Sequence, residues 1–277
     1  MPLSIIGVSY SLAAFPVLVK FFSDGKKEEF AEQSIASARH IIFWSVPVVV
    51  LFIVLRAQII RTILGSGQFN WSDTRLTAAA LAAFAFSLVF QNLTMLFVRA
   101  YYAVGNTVKP FIAKFINAAT TVLLGYLFMI AFLRFPMFKD FIENLFKVQG
   151  IPGSVIITLP LGWSFGEVLN AIALWFIFER DFKGFSRPVL KTLIQVMASS
   201  LVMGYVAYYS LNIFDDILNI NTTSGIFLQG FLSGIIAIVC GIVVLLLFRN
   251  QELSDIWQSL KGRIWKKPTV VPDPTML

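Results

Sequence analysis

The chain has 277 residues, of which 57% are hydrophobic and only 13% charged, and its mean hydropathy is +0.79. That composition excludes a soluble globular domain, which needs more polar surface, and makes lipid the expected solvent. A net charge of +7 would suit a nucleic-acid binder, but the basic residues are scattered between apolar runs instead of forming one patch, so no nucleic-acid partner is expected.

Lipid offers no hydrogen bonds to exposed backbone, so a spanning segment is either a helix or part of a closed barrel. The apolar runs here are near twenty residues long and do not alternate, which selects helices. The first, about 2 to 22, carries Pro2 and Pro16 and lacks both a basic leader and a small-residue cleavage site, so it reads as a mature helix. Residues 23 to 40, with Asp24-Gly25 followed by Lys26, Lys27, Glu28 and Glu29, read as a polar amphipathic linker on one membrane face.

Further spans follow at about 41 to 64, 77 to 103, 108 to 133, 155 to 178, 188 to 212 and 224 to 248. Asp73 and Thr74 are expected to cap the third span, Pro110 and Pro188 to start the fourth and sixth, and Thr223-Ser224 to cap the seventh. Between 135 and 153, Phe138, Phe141 and Phe146 alternate with Lys139, Asp140, Glu143 and Lys147, the pattern of a short interfacial helix. Residues 251 to 277 read as a cytoplasmic tail, amphipathic around Ile256, Trp257 and Leu260 and then frayed. The expected fold is therefore all-α: a polytopic integral membrane protein with about seven transmembrane helices between residues 1 and 250.

Orientation follows from the basic residues. Of the 22 Lys and Arg, sixteen fall on one side of this topology, among them Lys20, Lys26, Lys27, Arg99, Lys109, Lys183 and Lys191. Only Arg56, Arg61, Arg75, Arg134, Lys139 and Lys147 fall on the other. The positive-inside rule makes the first side cytoplasmic, with the N-terminus outside and the C-terminus inside. An outside start without a signal sequence leads to the expectation of an upstream part with an odd number of spans.

No enzyme signature is visible, and transport is the expected activity class. The one histidine, His40, sits beside Arg39 at a span boundary, and the one cysteine, Cys240, lies inside an apolar run, so neither a metal centre nor a cofactor site is expected. Polar groups within spans are costly and tend to face a partner helix or a wet cavity. Glu167 is the most informative of these. It reads either as a coupling carboxylate or as a structural group bonded to Asn170 one turn on.

Ser4, Gly7, Ser11 and Ala14 make one small, weakly polar stripe, expected to line a hydrated cavity or to pack closely on another helix. Pro16 and Pro47 are positions for kinks. Gln91, Asn92, Asn117, Thr120 and Thr121 suit interhelical hydrogen bonds. Arg56 is placed to anchor in the interface or to contact a phosphate or acidic lipid head group.

Three passages together carry a family resemblance. The first is Pro2-Leu-Ser-Ile-Ile-Gly7-Val with Phe15-Pro16 and Ser23-Asp24-Gly25. The second is Gly67-Gln68-Phe69 with Asp73-Thr74. The third, and the most specific, is Arg99-Ala-Tyr-Tyr102-Ala-Val-Gly-Asn106-Thr107-Val-Lys-Pro110. In this order they resemble the MurJ (MviN) lipid II flippase family of the multidrug/oligosaccharidyl-lipid/polysaccharide exporter superfamily.

The resemblance implies helices eight to fourteen of a fourteen-helix, two-lobed transporter. Such a protein moves an undecaprenyl-type lipid-linked sugar precursor of the cell wall across the bacterial inner membrane by alternating access, with Ser4, Gly7 and Ser11 toward its cavity. It also implies a separately encoded N-terminal half as a partner, if the chain is one subunit of a split transporter. Within the same superfamily, export of another lipid-linked oligosaccharide or of a drug is the alternative, and a non-transporting membrane scaffold is the alternative outside it.

Overall fold

The computed structural model describes residues 4–65, 69–219 and 222–255. Nine helices follow one another among them: α1 Ser4–Ser23, α2 Lys27–Val54, α3 Arg56–Leu64, α4 Trp71–Ala103, α5 Val108–Arg134, α6 Pro136–Phe146, α7 Thr158–Asp181, α8 Ser186–Ile217 and α9 Thr223–Leu247. Seven helical segments are long and apolar enough to cross a membrane, namely α1, α2, α4, α5, α7 with its preceding 3-10 turn, α8 and α9. The all-α, seven-span expectation is met.

Several boundaries differ from expectation for local reasons. Residues 23 to 40 do not form a separate linker lying on the membrane. After a short turn they run directly into α2, whose 28 residues are about 42 Å long, against a hydrocarbon core of about 30 Å. No breaker interrupts Lys27 to Pro47, and the hydroxyls of Ser34 and Ser37 donate back to the carbonyls of Phe30 and Gln33 at 2.9 and 2.8 Å. The fully buried Phe30 fastens this extension, with its ring centroid 4.9 Å from that of Phe182.

The expected second span ends early instead, at Leu55, and resumes as α3. Helix α4 begins at Trp71, six residues before the expected start, because Asn70 is its cap: Asn70 Oδ1 accepts from the Asp73 backbone N–H at 3.0 Å, and Asp73 accepts from the Asn70 N–H at 2.9 Å. Thr222, one residue earlier than expected, caps α9.

The helices pack around three apolar clusters. The largest joins α1, α2, α4, α7 and α8 through Leu18, Phe30, Ile41, Leu96, Phe97, Phe178 and Phe185. A second, with Ala83, Phe132, Ile142 and Leu161, lies at the opposite ends of α4, α5 and α7 and takes in α6. Met203, Ala207 and Ala237 form a small third cluster between α8 and α9.

Helix α5 is held chiefly by α7. The seam is built from small residues, since a side chain on Gly162 would strike the backbone of Gly125 and one on Gly166 would strike Thr121. Backbones this close gain dispersion contacts that a larger residue would forbid. Gly162→Val should therefore force α5 and α7 apart and lower stability by about 2 kcal/mol. Thermal unfolding in detergent micelles measures this, with Phe176→Leu on the exposed face as the unchanged control.

Candidate functional site

The small stripe of α1 is a packing seam. Gly7, Ser11, Ala14 and Leu18 are its buried residues. A methyl group on Gly7 would lie 2.7 Å from Asn92 Cα of α4, and Asn92 in turn donates through Nδ2 to Ser45 Oγ of α2 at 2.8 Å. Ser11 is fully buried, and its hydroxyl donates to the Val8 carbonyl of its own helix at 3.2 Å. The expectation that Gly7 and Ser11 line a water-filled cavity is therefore corrected: both close onto neighbouring helices, because only small residues admit Asn92 at this depth. Ser4 is half-buried at the start of the same face.

The Arg99 to Pro110 passage is the junction of α4 and α5. Gly105 takes a left-handed φ of 74°, and Asn106 Oδ1 accepts from the Lys109 N–H at 3.2 Å. Buried Tyr101 donates its hydroxyl to Asp181 Oδ2 of α7 at 2.8 Å. Lys109 pairs with the same oxygen, and its ammonium lies 5.3 Å from the centre of the Tyr101 ring.

Three helix ends are thereby tied at one point. Tyr102 and Thr107 face outward, Pro110 is buried, and half-buried Arg99 has one guanidinium nitrogen without a partner among the described residues. The sequence reading missed Asp181 as the receiver. The charged Glu179-Arg180-Asp181 sequence at the end of an apolar run was the available signal.

Further along the same seam, Glu167 is 3% exposed. It accepts from Asn117 Nδ2 of α5 at 2.8 Å, and Lys114 Nζ lies 3.6 Å from the same oxygen. The partner is thus an amide on the next helix and not Asn170, whose Nδ2 has no partner among the described residues. A shallow groove of about 340 Å³ runs beside the pair, lined by Asn117, Thr120, Gly166 and Asn170 among others.

At the other end of the bundle, Arg56 turns inward and donates to the Ile53 carbonyl at 2.7 Å, closing the end of α2 where the helix breaks. Arg61 donates to the Phe69 carbonyl at 3.0 Å and stacks over Trp71. Phe69 and Asp73 thus belong to the turn that starts α4, whereas Gly67 lies outside the described residues. Among the described residues no group of three His, Cys, Asp or Glu side chains could hold a metal ion.

Compared with known proteins, the chain matches the family model described as lipid II flippase MurJ over residues 1–228. A probable lipid II flippase MurJ of Rhizobium tropici is 24% identical over 280 residues, covering 99% of this chain and 47% of the relative. One from Bdellovibrio bacteriovorus is 32% identical over 129 residues, covering 47% and 25%. One from Thermotoga maritima is 29% identical over 174 residues, covering 63% and 35%. The chain thus spans about half or less of the length of these curated relatives. Among solved structures, a lipid II flippase MurJ in an inward closed conformation superposes with a TM-score of 0.61 at 23% identity, covering 92% of this chain and 45% of that one, a likeness of fold.

The pairing of Glu167 with Asn117 separates two substitutions. Glu167→Gln keeps an acceptor for the Asn117 amide and should change stability by less than about 1 kcal/mol, whereas Glu167→Leu strands that amide in a buried seam and should cost about 2 kcal/mol. Unfolding midpoints of the two purified variants decide this; equal losses would contradict the pairing.

Proposed function

The chain belongs to the lipid II flippase MurJ family, and from that premise we propose that it forms one lobe of a two-lobed transporter carrying a lipid-linked peptidoglycan precursor across the bacterial inner membrane. The observation that carries this reading is the family match through six of the seven spans and into the seventh. The cargo class explains why a transporter is needed. A sugar and peptide head group on a pyrophosphate cannot cross hydrocarbon unaided, while its polyprenyl tail can remain there.

In this lobe Asn92, Asn117 and Glu167 each bond to a neighbouring helix, so their first role is to hold the helices together and not to hold a passing head group. The polar path therefore runs where this lobe meets a second one, whether that lobe is joined to this chain or separately encoded. Transport then consists of the two lobes rocking about the bound head group, with no bond made or broken. Glu167 acts in this scheme as a fastener of α5 to α7 and not as the coupling carboxylate, and Arg56 as an anchor of the α2 end. The start of α1 lies outside and the end of α9 in the cytoplasm, as the uneven distribution of Lys and Arg favours.

Cells depleted of their own flippase should survive when this chain is supplied with a complementary lobe. Lysis despite stable membrane insertion of both would overturn the reading. For orientation, single cysteines replacing Lys26, Lys183 or Phe138 in a Cys240→Ser background should divide, with only the Phe138 position reached by an impermeant thiol reagent from outside. Labelling of the Lys26 and Phe138 positions from the same side contradicts the assignment.

A further inference from the structure

Where the start of α8, the middle of α2 and the chain after α9 converge, the described residues line an open recess of about 520 Å³. Four cationic side chains, Arg39, Arg187, Lys191 and Arg249, line it, with Thr192 and Gln195 between them and no carboxylate. Its back is held in place. Arg39 pairs with the buried carboxylate of Glu252, which also accepts from the 3%-exposed Thr192 at 3.1 Å, and the Arg39 Nη2 donates to Gln251 Oε1 at 2.7 Å. Arg249 takes a left-handed φ of 49°, and Asn250 Nδ2 donates to Gln195 Oε1 at 3.1 Å, so the chain leaving α9 turns across α8.

With Arg39 balanced by Glu252, the charges of Arg187, Lys191 and Arg249 have no acidic partner among the described residues. Arg187 also occupies the first turn of α8, at the positive end of the helix dipole, where Glu179 Oε2 already accepts from the Ser186 N–H at 2.6 Å and the basic side chains, not free N–H groups, face the recess.

A second cavity, of about 500 Å³, shares Arg249 and Gln251 with the first and is lined by Ile242, Leu246 and Leu253. The pair thus places a cationic recess beside an apolar one. The 32 residues of α8 are about 48 Å long and overreach a hydrocarbon core of about 30 Å, which puts its basic first turns at head-group depth.

We propose that this corner binds the phosphodiester head group of a resident anionic phospholipid, with an acyl chain along α9, at a site separate from the transported cargo. The guanidinium groups of Arg187 and Arg249 suit phosphate oxygens in a way that a choline head group, which carries its own cation, does not reward. Free phosphate shares the charge chemistry but would leave the apolar recess empty.

Native mass spectrometry of the purified full chain, titrated separately with short-chain phosphatidylglycerol and phosphatidylcholine, tests the proposal. Phosphatidylglycerol should bind, and the triple variant Arg187→Ala/Lys191→Ala/Arg249→Ala should weaken it by about tenfold, roughly 1.4 kcal/mol. The control Lys26→Ala/Lys27→Ala/Lys183→Ala, with the same loss of charge, should bind as the parent does. Lys191→Glu alone should also weaken binding, which covers the case that the triple variant does not fold. Equal weakening by both triples, or equal binding of phosphatidylcholine, would overturn the site. Full displacement by millimolar inorganic phosphate would assign it to a free anion instead of a lipid.

Discussion

Hydrocarbon supplies no hydrogen-bond partners, and the rest of this structure follows from that absence. Among the described residues the seven candidate spans are helical, and two mid-span amides find partners on other helices: Asn92 on Ser45, Asn117 on Glu167. The α5–α7 seam shows how one sequence meets the constraint along a whole interface. Gly125 and Gly162 allow the closest approach, Thr121 meets Gly166 one turn on, Asn117 meets Glu167, and Lys109 and Tyr101 meet Asp181 at the end. Packing along this antiparallel pair leads to a buried ion and amide cluster and then to an interfacial clasp, which Tyr101 of α4 joins.

That arrangement bears on how the lobe moves. Helix α5 has few other attachments, yet four successive contacts bind it to α7, and α7 is bound to α4 through Ser164, whose hydroxyl donates to the Ala83 carbonyl at 2.6 Å. On the other side, Arg39, Thr192 and Glu252 join α2, α8 and the chain after α9. Each tie links helices within the lobe, which favours motion of the lobe as a unit. Breaking one would expose a polar group to lipid at a cost of about 1 to 3 kcal/mol.

Much of this was legible in the residues themselves. Seven apolar runs near twenty residues became seven candidate spans, since run length and the absence of alternation report directly on the solvent. The Arg99 to Pro110 passage announced a tight junction, because Gly105 and Asn106 have local backbone preferences. What could not be read was pairing at a distance. The sequence offered Asn170 as the partner of Glu167 by spacing, but Asn117 on another helix holds it, and spacing within one helix says nothing about its neighbour. Likewise the stripe of Gly7 and Ser11 fitted a cavity and a packing seam equally well, and the bulk of Asn92 opposite decided for packing. The merging of the linker into α2 turned on Phe30, whose partner Phe182 is far away in the chain.

The central claim is that the mid-span polar residues fasten a lobe that moves as one piece and are not themselves the transport path. The most direct measurement is translocation of a lipid-linked precursor into vesicles by this chain with its complementary lobe, using Ser45→Cys/Asn92→Cys in a Cys240→Ser background, before and after oxidation to a disulfide. The account predicts the same rate in the reduced and the cross-linked state, because α2 and α4 already move together. A rate abolished by the cross-link and restored by reductant would show that these helices part during transport and would contradict it.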